Sequence, residues 1–177
     1  MAKVIVADED RCLGCKSCEI ACAMAHTEAE TLVEAIGAER PPQSRVHVVP
    51  TETYGLPLQC RHCEDAPCMT ICPTEAIHRV SEEGPVLLDQ ERCIGCRFCM
   101  LICPFGVIDL SRDGKAMIKC DLCIDRTEAG QEPACVAACP TGALQFRDID
   151  EWLAERRREA AGRIAESRAE AEKGPRL

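Results

Sequence analysis

The stretch that decides the fold is RCLGCKSCEIAC, residues 11–22. It carries four cysteines in the spacing C-x2-C-x2-C-x3-C: Cys12, Cys15, Cys18 and Cys22. Three cysteines at i, i+3 and i+6 in one loop can surround one face of a metal centre. If a helical turn follows the loop, it displaces the fourth sulfur by about 6 Å along the helix axis. The stretch therefore predicts a metal site whose fourth cysteine can serve a neighbouring site.

The chain repeats this arrangement, with sixteen cysteines in four groups of four. The second group widens one gap, the third copies the first spacing, and the fourth has a long insertion before its third cysteine. These groups are Cys60, Cys63, Cys68 and Cys72; Cys93, Cys96, Cys99 and Cys103; and Cys120, Cys123, Cys135 and Cys139. Residues 10–18 (DRCLGCKSC) match residues 91–99 (ERCIGCRFC), which indicates an internal repeat.

The spacing favours iron–sulfur clusters over disulfides or zinc. Cysteines so close in sequence are poorly placed to bridge one another. Structural zinc sites generally use paired C-x2-C units, often with histidine, whereas here three cysteines twice crowd into seven residues. The pattern C-x2-C-x2-C-x3-C-P is typical of bacterial ferredoxins, where the fourth cysteine ligates the other cluster. That proline follows the last three groups, and Ala23 replaces it in the first. The histidines are interpreted as ordinary polar or packing residues.

Composition restricts the function. A formal net charge of −9 argues against nucleic acid and favours partners with basic docking faces. Five aromatic residues are few for a core of this size, so bound clusters are expected to help organise the interior. No run approaches the 18 apolar residues of a membrane span, and the N-terminus MAKVIVADEDRC lacks an export signal. A soluble, cytoplasmic protein without membrane insertion is expected.

Two pairings of the four groups are compatible with these patterns. In a nested arrangement, groups two and three form one unit and groups one and four another. The apolar runs around the turn-like SEEG (81–84) link groups two and three, and KVIVAD (3–8) can pair with GALQF (142–146) beside groups one and four. In a sequential arrangement, the hairpin pattern of residues 106–120 would join groups three and four.

The four groups, the block CRHCEDAPC (60–68) and the ending KCDLC…PACVAACPTGAL (119–144) carry a family resemblance. The chain resembles, over residues 1–147, the four-cluster electron-transfer subunits of dimethyl sulfoxide reductase, formate dehydrogenase and related enzymes. Short soluble versions serve carbon monoxide dehydrogenase, hydrogenase, tungsten aldehyde oxidoreductase and benzoyl-CoA reductase. The resemblance implies nested pairing and four [4Fe–4S] clusters. The implied ligand sets are Cys12, Cys15, Cys18 and Cys139; Cys60, Cys63, Cys68 and Cys103; Cys93, Cys96, Cys99 and Cys72; and Cys120, Cys123, Cys135 and Cys22.

The expected fold class is therefore α+β, with two nested bacterial-ferredoxin-like modules of short strands and helices packed around the clusters. The outer module takes residues 1–59 and 109–147, including an insertion at 23–59, and the inner module takes residues 60–108. Within the insertion, residues 29–39 predict a helix that RPP (40–42) ends, and residues 45–54 predict a strand. Residues 148–177 predict a helical tail with an aspartate N-cap and a Gly-Pro stop at 174–175.

The expected function is electron transfer without catalysis, in an anaerobic oxidoreductase complex. The sequence has no Gly-rich nucleotide fingerprint and no P-loop, and sixteen cysteine ligands leave no iron open to substrate. The expected partners are a catalytic oxidoreductase subunit and a further redox partner, either a ferredoxin or a flavin/iron–sulfur subunit. A free polyferredoxin that shuttles between enzymes is the alternative. The insertion and the tail favour the subunit.

Overall fold

The computed structural model describes residues 3–52 and 55–172. Within these residues, short strands alternate with short helices, and one long helix ends the chain. The strands are β1 Lys3–Ala7, β2 Val46–Pro50, β3 Gly55–Gln59, β4 Ile77–Arg79, β5 Val86–Leu88, β6 Asp109–Leu110, β7 Met117–Ile118 and β8 Leu144–Asp148. The helices are α1 Ser17–Met24, α2 Leu32–Gly37, α3 Pro67–Thr70, α4 Phe98–Ile102, α5 Ile124–Glu128, α6 Ala134–Ala137 and α7 Ile149–Glu172. The predicted α+β class is confirmed.

The strands form four separate two-stranded antiparallel sheets: β1–β8, β2–β3, β4–β5 and β6–β7. The first of these joins the two ends of the cysteine-bearing region, with Lys3 opposite Asp148 and Ala7 opposite Leu144. The predicted pairing of the strands that flank the first and last cysteine groups is thereby confirmed. The other three sheets are hairpins between consecutive strands, and such small sheets need packed neighbours for stability.

Each cysteine group begins a short helix at the same point in its spacing. The third cysteine of every group is the second residue of a helix: Cys18 of α1, Cys68 of α3, Cys99 of α4 and Cys135 of α6. The fourth cysteine follows about one turn later, within the helix for Cys22 and just beyond it in the other three groups. Each group therefore directs its third and fourth sulfurs to different places along one helical turn.

The loops of groups one and three share an unusual backbone conformation. Lys16 and Arg97, which occupy equivalent positions in the repeat, both adopt left-handed φ angles, 62° and 67°. Gly95 has a φ of 65°, and a Cβ atom there would lie 2.7 Å from the carbonyl oxygen of Lys115. A side chain at this position would meet both backbone strain and a close contact. The sequence repeat is thus also a repeat of backbone geometry.

The apolar interior is divided into two cores that contain cysteines. The first core packs Ile5, Val46 and Leu144 around cysteines of groups one and four. The second packs Ile77 and Met117 with cysteines of groups two and three. The predicted module boundaries at residues 60 and 109 remain a prediction.

The insertion and the tail form regular helices. Thr31 and Glu34 make a capping box at the start of α2, which ends before the RPP segment as predicted. The Asp148 carboxylate accepts hydrogen bonds from the backbone N–H groups of Asp150 (3.0 Å) and Glu151 (3.2 Å), as expected for an N-cap. The predicted stop at 174–175 and the end of the predicted strand at 53–54 lie outside the described residues. None of the described helices has the length and apolarity to cross a bilayer.

Candidate metal centres

The structure gathers the predicted cysteine sets in four places, which we number by the group that supplies three of the four sulfurs. Site 1 has Cys12, Cys15, Cys18 and Cys139; site 2 has Cys60, Cys63, Cys68 and Cys103; site 3 has Cys93, Cys96, Cys99 and Cys72; site 4 has Cys120, Cys123, Cys135 and Cys22. Sites 1, 2 and 3 are cavities lined by all four cysteines of the respective set.

Site 4 is the most deeply buried set. Cys22, Cys120 and Cys135 are all buried in the first core. Burial raises the pKa of the Cys135 thiol, and the neighbouring charges of Cys120, Cys22 and Cys123 raise it further. Cys22 of the first group therefore lies among the three cysteines of the fourth group.

The predicted ligands of every site are all cysteine sulfurs. All sixteen thiols are free of disulfides. Among residues 3–52 and 55–172, three ligand atoms within 4.8 Å of one another occur only at His26, Asp121 and Cys123. A set of four cysteine thiolates fits a [4Fe–4S] cluster.

Hydrogen-bond donors surround the sulfur atoms. Backbone N–H groups donate to Cys22 Sγ from Arg45 (3.2 Å) and to Cys93 Sγ from Met117 (3.3 Å). The two Cys-Pro-Thr endings place a threonine hydroxyl 3.7 Å from Cys72 Sγ and 3.8 Å from Cys139 Sγ. Burial alone would raise the pKa of both thiols, but these hydroxyls and nearby backbone N–H groups outweigh it and lower the pKa. Such donors stabilise thiolate, the form that binds iron.

Other thiols are hard to ionise without a metal. Burial raises the pKa of Cys18 and Cys99 to about 11 and that of Cys120 to about 12. A bound cation removes this penalty because it neutralises the thiolate it ligates. Metal binding at these sites would therefore release protons and stabilise the fold.

Cysteines of one site also raise the pKa of cysteines in a neighbouring site. After burial, the causes that raise cysteine pKa values include Cys18 acting on Cys135, Cys60 acting on Cys120, and Cys68 acting on Cys99. These three pairs connect site 1 to site 4, site 4 to site 2, and site 2 to site 3. Packing supports a series in the order 1, 4, 2, 3, because cysteines of sites 1 and 4 share the first core, Cys60 of site 2 packs against that core, and cysteines of sites 2 and 3 share the second core.

A polar network beside site 4 was missed by the sequence reasoning. His26 Nε2 donates to Asp121 at 3.1 Å, and its Nδ1 donates to the Cys22 carbonyl oxygen at 2.7 Å. Burial opposes the charge on His26, but the hydrogen bonds to Asp121 and Cys22 together outweigh burial and raise the pKa of His26 to about 9. Asp121 also forms an ion pair with Arg45 and accepts a hydrogen bond from Cys123 N at 2.9 Å. The only sequence signal was an aspartate within C-x2-C, which by itself did not identify its partners.

Comparison with known proteins gives the family. The model of a family described as "4Fe-4S dicluster domain" matches residues 51–149, and a second, described as "4Fe-4S binding domain", matches residues 9–25. An iron–sulfur protein of Rhodospirillum rubrum is 42% identical, over 93% of this chain and 92% of its own. The thiosulfate reductase electron transfer subunit PhsB of Salmonella typhi is 41% identical, over 84% and 77%. One polypeptide of the anaerobic dimethyl sulfoxide reductase of Escherichia coli is 38% identical, over 81% and 72%.

These matches define a class of iron–sulfur protein whose named relatives include electron-transfer and reductase subunits. The chain belongs to the 4Fe-4S dicluster family, whose model covers more than half of it. The resemblance inferred from the cysteine groups is therefore confirmed. The ligand sets, the number of clusters and the cytoplasmic location remain predictions.

Proposed function

We propose that the chain is a non-catalytic subunit that carries four [4Fe–4S] clusters and relays single electrons in an oxidoreductase complex. The observation that supports it most is the series of four all-cysteine sites, in which cysteines of neighbouring sites pack in the same apolar cores. A bound [4Fe–4S] cluster supplies a centre that accepts and returns one electron. The protein contributes burial, hydrogen bonds to sulfur and local charge, which set the potential of each centre.

The proposed partners lie at the two ends of the series, beside sites 1 and 3. One is the catalytic subunit of a molybdenum, tungsten, carbon monoxide dehydrogenase, hydrogenase or formate system; the other is a ferredoxin or a flavin/iron–sulfur subunit. Relatives named as components of thiosulfate reductase and of dimethyl sulfoxide reductase support a dedicated catalytic partner. The large side chains of Leu13 and Ile94, in the C-x2-C loops of sites 1 and 3, are 74% and 65% exposed, as suits contact surfaces at both ends.

Anaerobic native purification from the source organism tests this function. The expected result is a stoichiometric complex in which the chain co-elutes with a catalytic subunit. Elution of the chain alone, with electron transfer to several enzymes, would instead establish the free shuttle. Substrate turnover by the isolated chain would contradict both.

A further inference from the structure

A buried lysine lies at the boundary between the two cores. Lys119 follows β7 and precedes the first cysteine of site 4. It is only 3% exposed, and in the described part of the chain Gln59 is the only other buried polar residue. Its Nζ atom donates to the carbonyl oxygens of Val86 (2.5 Å) and Cys120 (2.8 Å). Val86 belongs to the second core, so the ammonium group connects the two halves of the series.

Lys119 forms no ion pair with a carboxylate in the part of the chain that the structure describes. The ion pairs among residues 3–52 and 55–172 do not include a carboxylate bound to Lys119. Two carbonyl oxygens satisfy two of its three N–H donors but leave the positive charge uncompensated. A buried, unpaired ammonium is strongly unfavourable, so the surroundings must supply negative charge.

Each hydrogen bond of Lys119 reaches one of the two central sites: Val86 lines the site 2 cavity, and Cys120 belongs to the cysteine set of site 4. Burial raises the pKa of Cys68 in site 2 and Cys120 in site 4, and in both the Lys119 charge acts in the opposite direction. Burial and the Lys119 charge also lower the pKa of His62 to about 3, which leaves this neighbouring imidazole neutral. Lys119 is therefore the cation that acts on both central sites of the series.

We propose that Lys119 is a counter-charge shared by sites 2 and 4, and that it raises the reduction potentials of both clusters. The added electron makes a reduced cluster more negative, so a fixed buried cation stabilises the reduced state more than the oxidised state. An electron that passes between the sites oxidises one cluster and reduces the other by one electron, and Lys119 stabilises the electron in either position. This inference rests on the proposed function, because it requires clusters at both sites.

Lys16 is a matched control for this effect. It is also a lysine next to a cysteine of a site, Cys15, but its side chain is 59% exposed and pairs with Glu19 at 3.8 Å. Solvent and the carboxylate screen its charge, so the same substitution there should change the potential of site 1 little.

Redox titration of the anaerobically purified protein, followed by electron paramagnetic resonance, tests the role of Lys119. In K119M, the reduction potentials of two of the four clusters should fall. The expected fall is at least a tenfold change in the reduction equilibrium, which is about 59 mV for one electron. One of the two must be the cluster that a Cys120→Ser variant loses. In K119R, the reduction equilibria of both clusters should stay within threefold of their wild-type values. In K16M, no cluster should show a tenfold change in its reduction equilibrium.

Unchanged potentials in a fully loaded K119M protein, or an equal shift of all four clusters, would overturn the role of Lys119. If K119M does not retain its iron, K119R decides, because it keeps the charge. Retained potentials in K119R support the counter-charge, whereas a tenfold fall at the same two sites refutes it. The iron content of the wild-type protein separates failure of the Lys119 proposal from failure of the proposed function. A wild-type protein that does not hold four clusters would contradict the proposed function itself.

Discussion

Replacement of Cys22 by serine tests whether the first cysteine group is divided between two sites. Cys18 and Cys22 stand four residues apart on α1, so their sulfurs are displaced by about 6 Å along the helix axis. Cys18 lines the site 1 cavity, whereas Cys22 lies among the cysteines of site 4. Cys22→Ser should therefore damage the cluster that is held mainly by the fourth group, although that group lies about a hundred residues away in sequence.

The expected loss is confined to one cluster. A chain with four [4Fe–4S] clusters holds about sixteen irons, and Cys22→Ser should retain about twelve to fifteen, depending on whether the whole cluster or one iron is lost. The assay is iron analysis combined with electron paramagnetic resonance of the reduced protein. Cys120→Ser and Cys12→Ser provide matched controls, because each removes one thiol from a known group.

The comparison of these variants needs no prior assignment of the spectra. The signal lost in Cys22→Ser should be the one lost in Cys120→Ser, and the signal lost in Cys12→Ser should remain. If Cys22→Ser instead removed the same signal as Cys12→Ser, the first group would form a site by itself and the division would be refuted.

Three further predictions concern the stability of the fold and the retention of iron. Asp121→Asn weakens two charged contacts beside site 4 and should destabilise the loaded protein by about 2 kcal/mol. The same change at the exposed Asp113 should lower the melting temperature far less. Equal effects of the two substitutions would refute the stabilising role of Asp121. Ile77→Ala, at a residue 2% exposed, should cost about 2–5 kcal/mol and accelerate the loss of cluster absorbance on heating. The same change at Ile164, 71% exposed, should be nearly neutral, and a comparable acceleration there would contradict the assignment of the core. Removal of residues 156–177 should leave the iron content unchanged, because the described side chains of this segment are exposed or half-buried; loss of iron would show that the tail supports a site.

Much of the fold could be predicted because cysteine spacing and strand flanks are local signals. The run KVIVAD was identified as the partner of GALQF, and β1 pairs with β8 in that way. The turn-like SEEG likewise lies between β4 and β5. In each case, the apolar residues next to a cysteine group must be buried beside that group, so few pairings of the flanking strands are possible.

The polar surroundings of the sites could not be predicted in the same way. Asp121 meets His26 and Arg45 only because α1 and the insertion fold against the fourth group, and no local pattern contains that contact. Lys119 belongs to the motif KCDLC, but its hydrogen bond to Val86 depends on the position of strand β5, which lies more than thirty residues earlier in the sequence. Long-range contacts of this kind are set by tertiary packing.

Determination of iron, acid-labile sulfide and zinc in the anaerobically purified chain tests the central claim most directly. Four [4Fe–4S] clusters require about sixteen irons and sixteen sulfides per chain, with no stoichiometric zinc. Eight irons would mean that two of the four cysteine sites hold no such cluster. Four zinc ions without sulfide would contradict the iron–sulfur relay altogether.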